Sequence, residues 1–362
     1  MTLQQLQFLI TIHECGLNIT LAARRLNISQ PGISRQLRDL EAELGFQVFA
    51  RQGRSLTHVT IEGEEIIERS ARVLREIKNM RRVVASVLRP EKGLLSLATT
   101  HTQARYVLPQ IIRSFRARHG GVRIHLHQGS SEQIASMIRR EEVDFAILTG
   151  SQEMFPESVG LPLYRWNRVV VVPKDHPLAA DKPLTLQKLA AHPIVTYEFS
   201  FAGRSSLQAA FDTAGLTLDA SLAAQDADVI KTYVRTGLGV GIVASMAVDA
   251  RADSDLAVLD ASHFLESHTT WLGFRRGLRL ANYMYDFISE LAPHLSRGLV
   301  RRAESATTQT AVDRMLRRVN VPWWGVFSPA DLREIGTRSV PHPPIGRDGD
   351  VGRHRDANAA GP

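Results

Sequence analysis

Over the first ninety residues, apolar and polar positions alternate with a helical period. In "TLQQLQFLITIHEC", Leu3, Leu6, Leu9 and Ile10 recur at helical spacing and predict a first helix. "NITLAARRLN" reads as a short second helix, where Ala22 and Ala23 permit a close crossing and Leu26 anchors a core. Only "NIS" separates it from a third helix, "SQPGISRQLRDLEAELG", with Ser29 as its N-cap and Gly45 as its stop. Ile33, Leu37, Leu40 and Leu44 form one narrow core-facing stripe of that helix. Pro31, Arg35, Arg38 and Ala42 lie opposite, with Ser34 beside them. Asp39, Glu41 and Glu43 flank the exposed face in its C-terminal half. The period then changes to two short extended runs in "FQVFARQGRSLTHVT", turned about Gly53 and carrying Arg51 and Arg54.

A long uninterrupted helix is predicted from Ile61 to Leu88, about 40 Å at a rise of roughly 1.5 Å per residue. Positions 66, 70, 73, 77, 80, 84 and 87 hold Ile, Ser, Val, Ile, Met, Val and Val at spacings of four and three. Such a seam pairs two copies of a chain or packs onto the chain's own domains, and we favour the pairing. Pro90 ends the helix, and "PEKG" forms a hinge.

Beyond the hinge, strands and helices alternate. "LLSLATT", "VRIHLHQG" and "DFAILTG" read as strands, with helices starting near Gln103 and Ser131, an α/β pattern expected to hold parallel strands. A second α/β unit runs from "WNRVVVVPKDHPL" to about residue 267. "TTWLGFRR" then leads into the helix "LRLANYMYDFISELAPHL". Ligands of α/β units bind at the C-terminal ends of strands, where helix N-termini point. Thr99, Thr100, Thr102 and Gln103 stand at one such end, Thr149 and Ser151 at another, and Ser200, Gly203, Arg204 and Ser205 at a third. Hydroxyls, an amide and helix-end N–H groups suit a small anion or a polar amino-acid derivative. Plain helix capping is the alternative.

Charge and composition narrow the functional classes. Residues 1–90 carry 13 Lys and Arg against 9 Asp and Glu, residues 297–362 carry 11 against 7, and the middle is left at 20 against 21. A basic head on a neutral body points to an anionic partner for the head. Cys15, the one cysteine, rules out an intrachain disulfide and is expected as a small buried hydrophobe. The N-terminus has neither a basic lead nor a long apolar run, so a cytoplasmic protein without a membrane span is expected. "GLGVG" at 237–241 lacks the spacing of a dinucleotide loop and reads as a turn into a strand. His125 and His127 share a strand face, but no metal or other cofactor is expected, and no nucleophile motif requires an enzyme.

"LAARRLNISQPGISRQLRDLEAELGFQVFARQGRSLTHVTIEG" resembles the winged helix-turn-helix of LysR-type transcriptional regulators, through A-A-x-x-L, S-Q-P-x-x-S, L-E-x-x-L-G and L-T-x-x-T-x-x-G in order. The resemblance implies that Gln30, Pro31, Ser34 and Arg35, with Arg38 on the same face, meet bases or nearby phosphates in promoter DNA. Arg51 and Arg54 would then meet the backbone. "ATTHTQARY", "HQGS", "WNRVVVV", "GRSSL", "DADVIKTYVRTGLGVGIVASMAVD" and "YMYDFI" are similar to the CysB-type branch of sulfur-assimilation regulators, a likeness covering residues 1 to about 300. It implies that Thr100, Thr102, Gln103 and Thr149 line a pocket for sulfate, thiosulfate or an acetylated serine, with Ser200, Ala202 and Gly203 on its second side. Where that branch has threonine in "FTGR", this chain has Ala202, which removes one hydroxyl.

The expected fold is therefore α/β, with an N-terminal winged helix-turn-helix (1–60), a linker and dimerisation helix (61–90) and a two-lobed effector domain (91–296) like a periplasmic binding protein. Lobe one would take about 91–164 and 268–296, lobe two about 165–267, and residues 297–362 would form a largely disordered extension. Within that extension "AVDRMLRRVN" and "FSPADLREIG" read as short helices, and Trp323 and Trp324 could dock on the body. The expected partners are DNA, a small inducer, RNA polymerase and further copies of the chain, as dimer and tetramer. A LysR-type regulator for another anion, a solute-binding protein and a nucleotide-dependent enzyme are the alternatives.

Overall fold

The computed structural model describes residues 1–53, 55–88, 92–150, 152–155, 157–198 and 205–324. The chain divides into two compact units, Met1–Gly93 with Leu278–Asn282, and Leu94–Gly277 with the chain from Tyr283 onward.

The first unit contains α1 (Leu3–Glu14), α2 (Ile19–Leu26), α3 (Gln30–Leu44), a hairpin of β1 (Phe49–Gln52) and β2 (Ser55–Val59), and α4 (Ile61–Leu88). Thr2 and Gln5 cap α1 reciprocally, each side chain bonding the other's backbone N–H. Leu9, Ile12, Ala22, Ala23, Ile33, Leu37 and Leu40 close one core with Val48 and Phe49. Cys15 is half-buried against it. Of the apolar positions that predict α1, Leu6 and Leu9 are buried together with Ile12, whereas Leu3 is 48% exposed at the first turn. Asn27 turns the chain between α2 and α3 in the left-handed region.

The Thr57, Thr60 and Gly63 positions of the L-T-x-x-T-x-x-G element have a shared physical reason. Thr57 Oγ1 donates to the Ala50 carbonyl across the hairpin, and Thr60 Oγ1 donates to the Gln47 carbonyl while capping Gly63 N–H at 3.0 Å. A Cβ on Gly63 would stand 2.2 Å from the Val48 carbonyl oxygen, so only glycine lets α4 start against β1. Farther along α4, Val73, Met80 and Val84 of the seam are exposed.

The second unit has two five-stranded sheets. One orders as β4 (Val122–Gln128), β3 (Gly93–Thr99), β5 (Phe145–Thr149), β12 (His268–Arg275) and β6 (Ser158–Trp166). The other orders as β11 (Leu256–Asp260), β7 (Arg168–Pro173), β10 (Val240–Ala244), β8 (Ile194–Tyr197) and β9 (Ala220–Ala224). Among the helices that cover them are α5 (Leu108–Arg118) and α6 (Ser131–Arg139) in lobe one, and α7 (Pro177–Ala180), α8 (Leu186–Ala190), α9 (Ser206–Thr213) and α10 (Ala227–Arg235) in lobe two, with α11 (Asn282–Leu291) following β12. The parallel expectation holds for β3 with β5, and for β8 with β9 and β10. It fails for β12, which is antiparallel to β5 and β6, and for β7, which is antiparallel to β10 and β11. These are the strands at the two crossings: β7 enters lobe two directly after β6, and β12 re-enters lobe one from lobe two. The glycines of "GLGVG" serve packing. Gly237 has φ +78° in the turn, and a Cβ on Gly239 would meet the Pro193 carbonyl at 2.3 Å.

The expectation of a largely disordered extension fails over 297–316: α12 (Arg297–Glu304) forms where no helix was expected, and α13 (Gln309–Leu316) overlaps the helix expected in "AVDRMLRRVN". Leu299, Val300, Ala303 and Val312 are buried, and Gln309 bonds both the N–H and the carbonyl of Gly160 on β6. The "FSPADLREIG" helix expected farther on lies outside the described residues. No helix among the described residues is long and apolar enough to cross a membrane.

Candidate functional site

In the first unit the structure leaves the N-terminal end of α3 open. Ser29 Oγ caps Gly32 N–H at 3.3 Å, and Gln30, Pro31 and Arg35 are exposed while Ser34 is half-exposed. The positive end of the helix dipole is at this terminus, so its exposed surface attracts anions and offers amide and guanidinium donors. Arg38 is also exposed, with Nε donating to the Ser34 carbonyl of its own helix at 3.2 Å.

Arg51, expected to meet the DNA backbone, also has a partner within the head. Its guanidinium donates to Glu41, whose other carboxylate oxygen accepts the N–H groups of Val48 and Phe49 at 3.0 and 3.3 Å. Glu41, expected on the exposed flank, is therefore buried, since the start of β1 needs its two N–H groups paired where water cannot reach. Arg51 is the counter-charge that makes this burial tolerable. Arg54 lies outside the described residues.

In the second unit a cleft of about 650 Å³ opens where β3, β5 and β8 end. The structure brings Thr100, Thr102, Gln103 and Thr149 together on its wall, with Ser130 and Ser131 at the start of α6 and Ser205, the cap of α9. Ser151, Ser200, Ala202, Gly203 and Arg204 lie outside the described residues.

Sequence reasoning missed the residues behind this wall. Thr270 of β12 is fully buried, and its hydroxyl meets Gln103 Nε2 at 3.4 Å, Trp166 Nε1 at 3.1 Å and Thr149 Oγ1 at 3.3 Å. Tyr164 of β6 donates its hydroxyl to Gln103 Oε1, and burial pushes that phenol far up, so it stays a neutral donor. The Gln103 amide is thus engaged at both ends, its Nε2 also lying 3.5 Å from Met246 Sδ of lobe two. Tyr197 lines the cleft from lobe two, accepts Ala244 N–H at 3.1 Å, and has its phenol raised by burial against the opposing bond from Thr102. Beside it, Arg168 is buried. Desolvation lowers its guanidinium to about 10, which leaves it protonated at neutral pH. No linear motif joins Tyr164, Arg168, Tyr197 and Thr270; only the strand order does.

The lobes are also joined beside the cleft. Arg105 and Tyr106 of lobe one both bond Asp228 of lobe two, and Lys231 Nζ reaches Tyr106 Oη at 3.0 Å.

A helix-turn-helix with an open, basic helix end on one unit and a hydroxyl-lined cleft between two α/β lobes on the other define the architecture of a ligand-responsive DNA-binding protein. The model of the bacterial regulatory helix-turn-helix protein, lysR family, matches residues 3–64, and that of the LysR substrate binding domain matches residues 89–296. The chain belongs to the LysR family of transcriptional regulators. It is 43% identical over 321 residues to the HTH-type transcriptional regulator CysB of Haemophilus influenzae, covering 89% of this chain and 99% of that one. It is 44% identical over 307 residues to the HTH-type transcriptional regulator SsuR of Burkholderia cenocepacia, covering 84% and 100%. Among solved structures, the cofactor-binding domain of the Cbl transcriptional regulator superposes with a TM-score of 0.56 at 40% identity, covering 59% of this chain and 95% of that one.

Proposed function

We propose that this regulator controls sulfur-assimilation genes and that a small sulfur-pathway metabolite, held in the cleft, sets its activity on promoter DNA. The observation that carries the reading is the convergence of Thr100, Thr102 and Thr149 on one cleft, at the ends of β3 and β5, with the buried Arg168 beside Tyr197. Hydroxyl donors, helix-end N–H groups and a nearby buried cation suit a tetrahedral oxyanion or a carboxylate. The likeness to CysB and SsuR supports a ligand from the sulfur branch among possible anions.

The lining also contains Glu132 and Glu198, whose negative charge opposes a dianion. This favours, as a second reading of the ligand, a zwitterionic O-acylated serine over sulfate alone. Its carboxylate would face the threonines and its ammonium the glutamates.

In this mechanism Gln30, Ser34, Arg35 and Arg38 read and hold DNA, two α4 seams pair to place two heads on a pseudo-palindromic site, and pairs assemble to a tetramer. Exposed Val73, Met80 and Val84 support the pairing. A ligand that prefers one lobe arrangement shifts the population toward it, and the change passes through the chain at α4 to the heads and to contact with RNA polymerase. Thermal-shift screening of sulfate, thiosulfate, O-acetyl-L-serine and N-acetyl-L-serine, with Thr102→Ala beside the unmutated protein, tests the site. Stabilisation of the unmutated protein alone is the expected result.

A further inference from the structure

Strand β6 closes its sheet and would leave an open edge, but the chain's own C-terminal segment pairs with it. Arg165 N–H donates to the Pro322 carbonyl and Trp324 N–H donates to the Arg165 carbonyl, both at 2.8 Å, in a parallel bridge at Trp323. The two adjacent tryptophans then take different partners. Trp323 lies under the Arg165 guanidinium at 4.6 Å, toward the outside. Trp324 turns to the other side and packs on Tyr164, with ring centroids 4.7 Å apart at 50°.

Tyr164 is the buried phenol whose hydroxyl fixes Gln103, and Gln103 in turn meets Thr270, which meets Thr149. An unbroken chain of contacts therefore runs from Trp324, more than 150 residues away in sequence, to two residues of the cleft wall.

We propose that Trp324 is a positioning residue for the ligand cleft, acting through Tyr164 on Gln103 and Thr149; this rests on the reading of the cleft as the effector site. The physical basis is steric and local. The face of one aromatic ring against another favours particular tilts and offsets, so the indole selects one orientation of the phenol ring. Without the indole, the phenol can turn away from Gln103 Oε1, the amide loses its fixed direction, and Thr270 loses one of the donors that orient it. Trp323 supplies a control within the same segment, because it shares the backbone pairing but touches Arg165 instead of Tyr164.

The test uses the full-length chain as Trp324→Ala, Trp324→Phe and Trp323→Ala beside the unmutated protein. Sulfate and O-acetyl-L-serine are titrated calorimetrically, and amide hydrogen exchange is followed by mass spectrometry without ligand. Trp324→Ala is expected to weaken binding about tenfold, the scale seen when a group orienting a ligating side chain is removed. It should also speed exchange across residues 100–107. Trp324→Phe should restore both, and Trp323→Ala should change neither. If Trp324→Ala binds like the unmutated protein, or speeds exchange only in 158–166 and 320–324, the residue merely anchors the segment and the proposal is overturned. If the unmutated protein takes up neither probe, the effector reading fails, and exchange across 100–107 alone decides the role of Trp324.

Discussion

Lys231 Nζ lies 3.0 Å from Tyr106 Oη, and the two residues belong to different lobes. Lys231 is almost fully buried and also bonds the Ala247 carbonyl and Asp253, each at 2.8 Å, so it is anchored in lobe two. Tyr106 stands in the turn Gln103–Val107, whose first residue lines the cleft. Closing or opening the lobes must therefore change this bond. Tyr106→Phe removes it and the bond to Asp228 while keeping the ring. With about 1 kcal/mol taken from one lobe arrangement, the ligand concentration for half-maximal DNA response should move about fivefold. Fluorescence anisotropy of labelled operator against ligand concentration measures the shift. An unchanged midpoint would remove the latch from the mechanism.

Lys231→Met should behave differently from Tyr106→Phe. It leaves buried Asp253 short of a cation, although Arg235 still bonds that carboxylate at 2.9 Å. Loss of stability of up to about 3 kcal/mol is expected, seen as a lower urea midpoint for the body.

Arg51→Ala should act on the fold of the head before it acts on DNA. It strips the counter-charge from buried Glu41, at a cost of about 3 kcal/mol. The double variant Arg51→Ala with Glu41→Gln should recover part of that loss. A head that melts unchanged, with only weaker DNA binding, would show that Arg51 acts through the phosphate contact expected from the sequence and not through Glu41.

Arg35→Ala should lose sequence discrimination by about 1–3 kcal/mol, as a base contact does. Arg54→Ala should weaken all duplexes alike and lower the salt slope by about one. Competition titrations of operator against random duplex at several salt concentrations separate the two outcomes.

His268 should make the body's stability pH-dependent. Burial, with the nearby Arg168 charge, lowers its imidazole to about 3. The unfolded chain takes up a proton near its ordinary value of about 6.5 while the folded chain does not. Stability should therefore be fully present above about pH 6.5 and fall as pH drops from there toward 3. His268→Gln should flatten this part of the urea-midpoint profile, and an equally steep profile in that variant would exclude His268 as its source.

How much of this was legible in the sequence depends on how local each feature is. The head was readable because capping by Ser29 and the stripe Ile33, Leu37, Leu40 are matters of neighbours within a turn or two. The strand-end threonines were readable because strand and helix periods meet there. Thr270 and Tyr164 were not, since each lies more than 60 residues from Gln103 and reaches it only through the order β5, β12, β6. Glu41 misled for a related reason. A charged residue in a helix reads as solvated unless one knows that two strand N–H groups arrive beside it. Strand β6 was hidden by Pro162, which lacks the N–H of a ladder residue and sits where the register with β12 shifts.

The central claim is that one chain couples sequence-specific DNA binding to occupancy of the cleft. Its most direct measurement is the affinity of full-length protein for an operator selected from random duplexes, with and without sulfate or O-acetyl-L-serine, in the unmutated protein and in Thr102→Ala. A ligand-dependent change of about fivefold or more in the unmutated protein, absent in Thr102→Ala, is the predicted result. Operator affinity that is the same with and without both ligands would contradict the account.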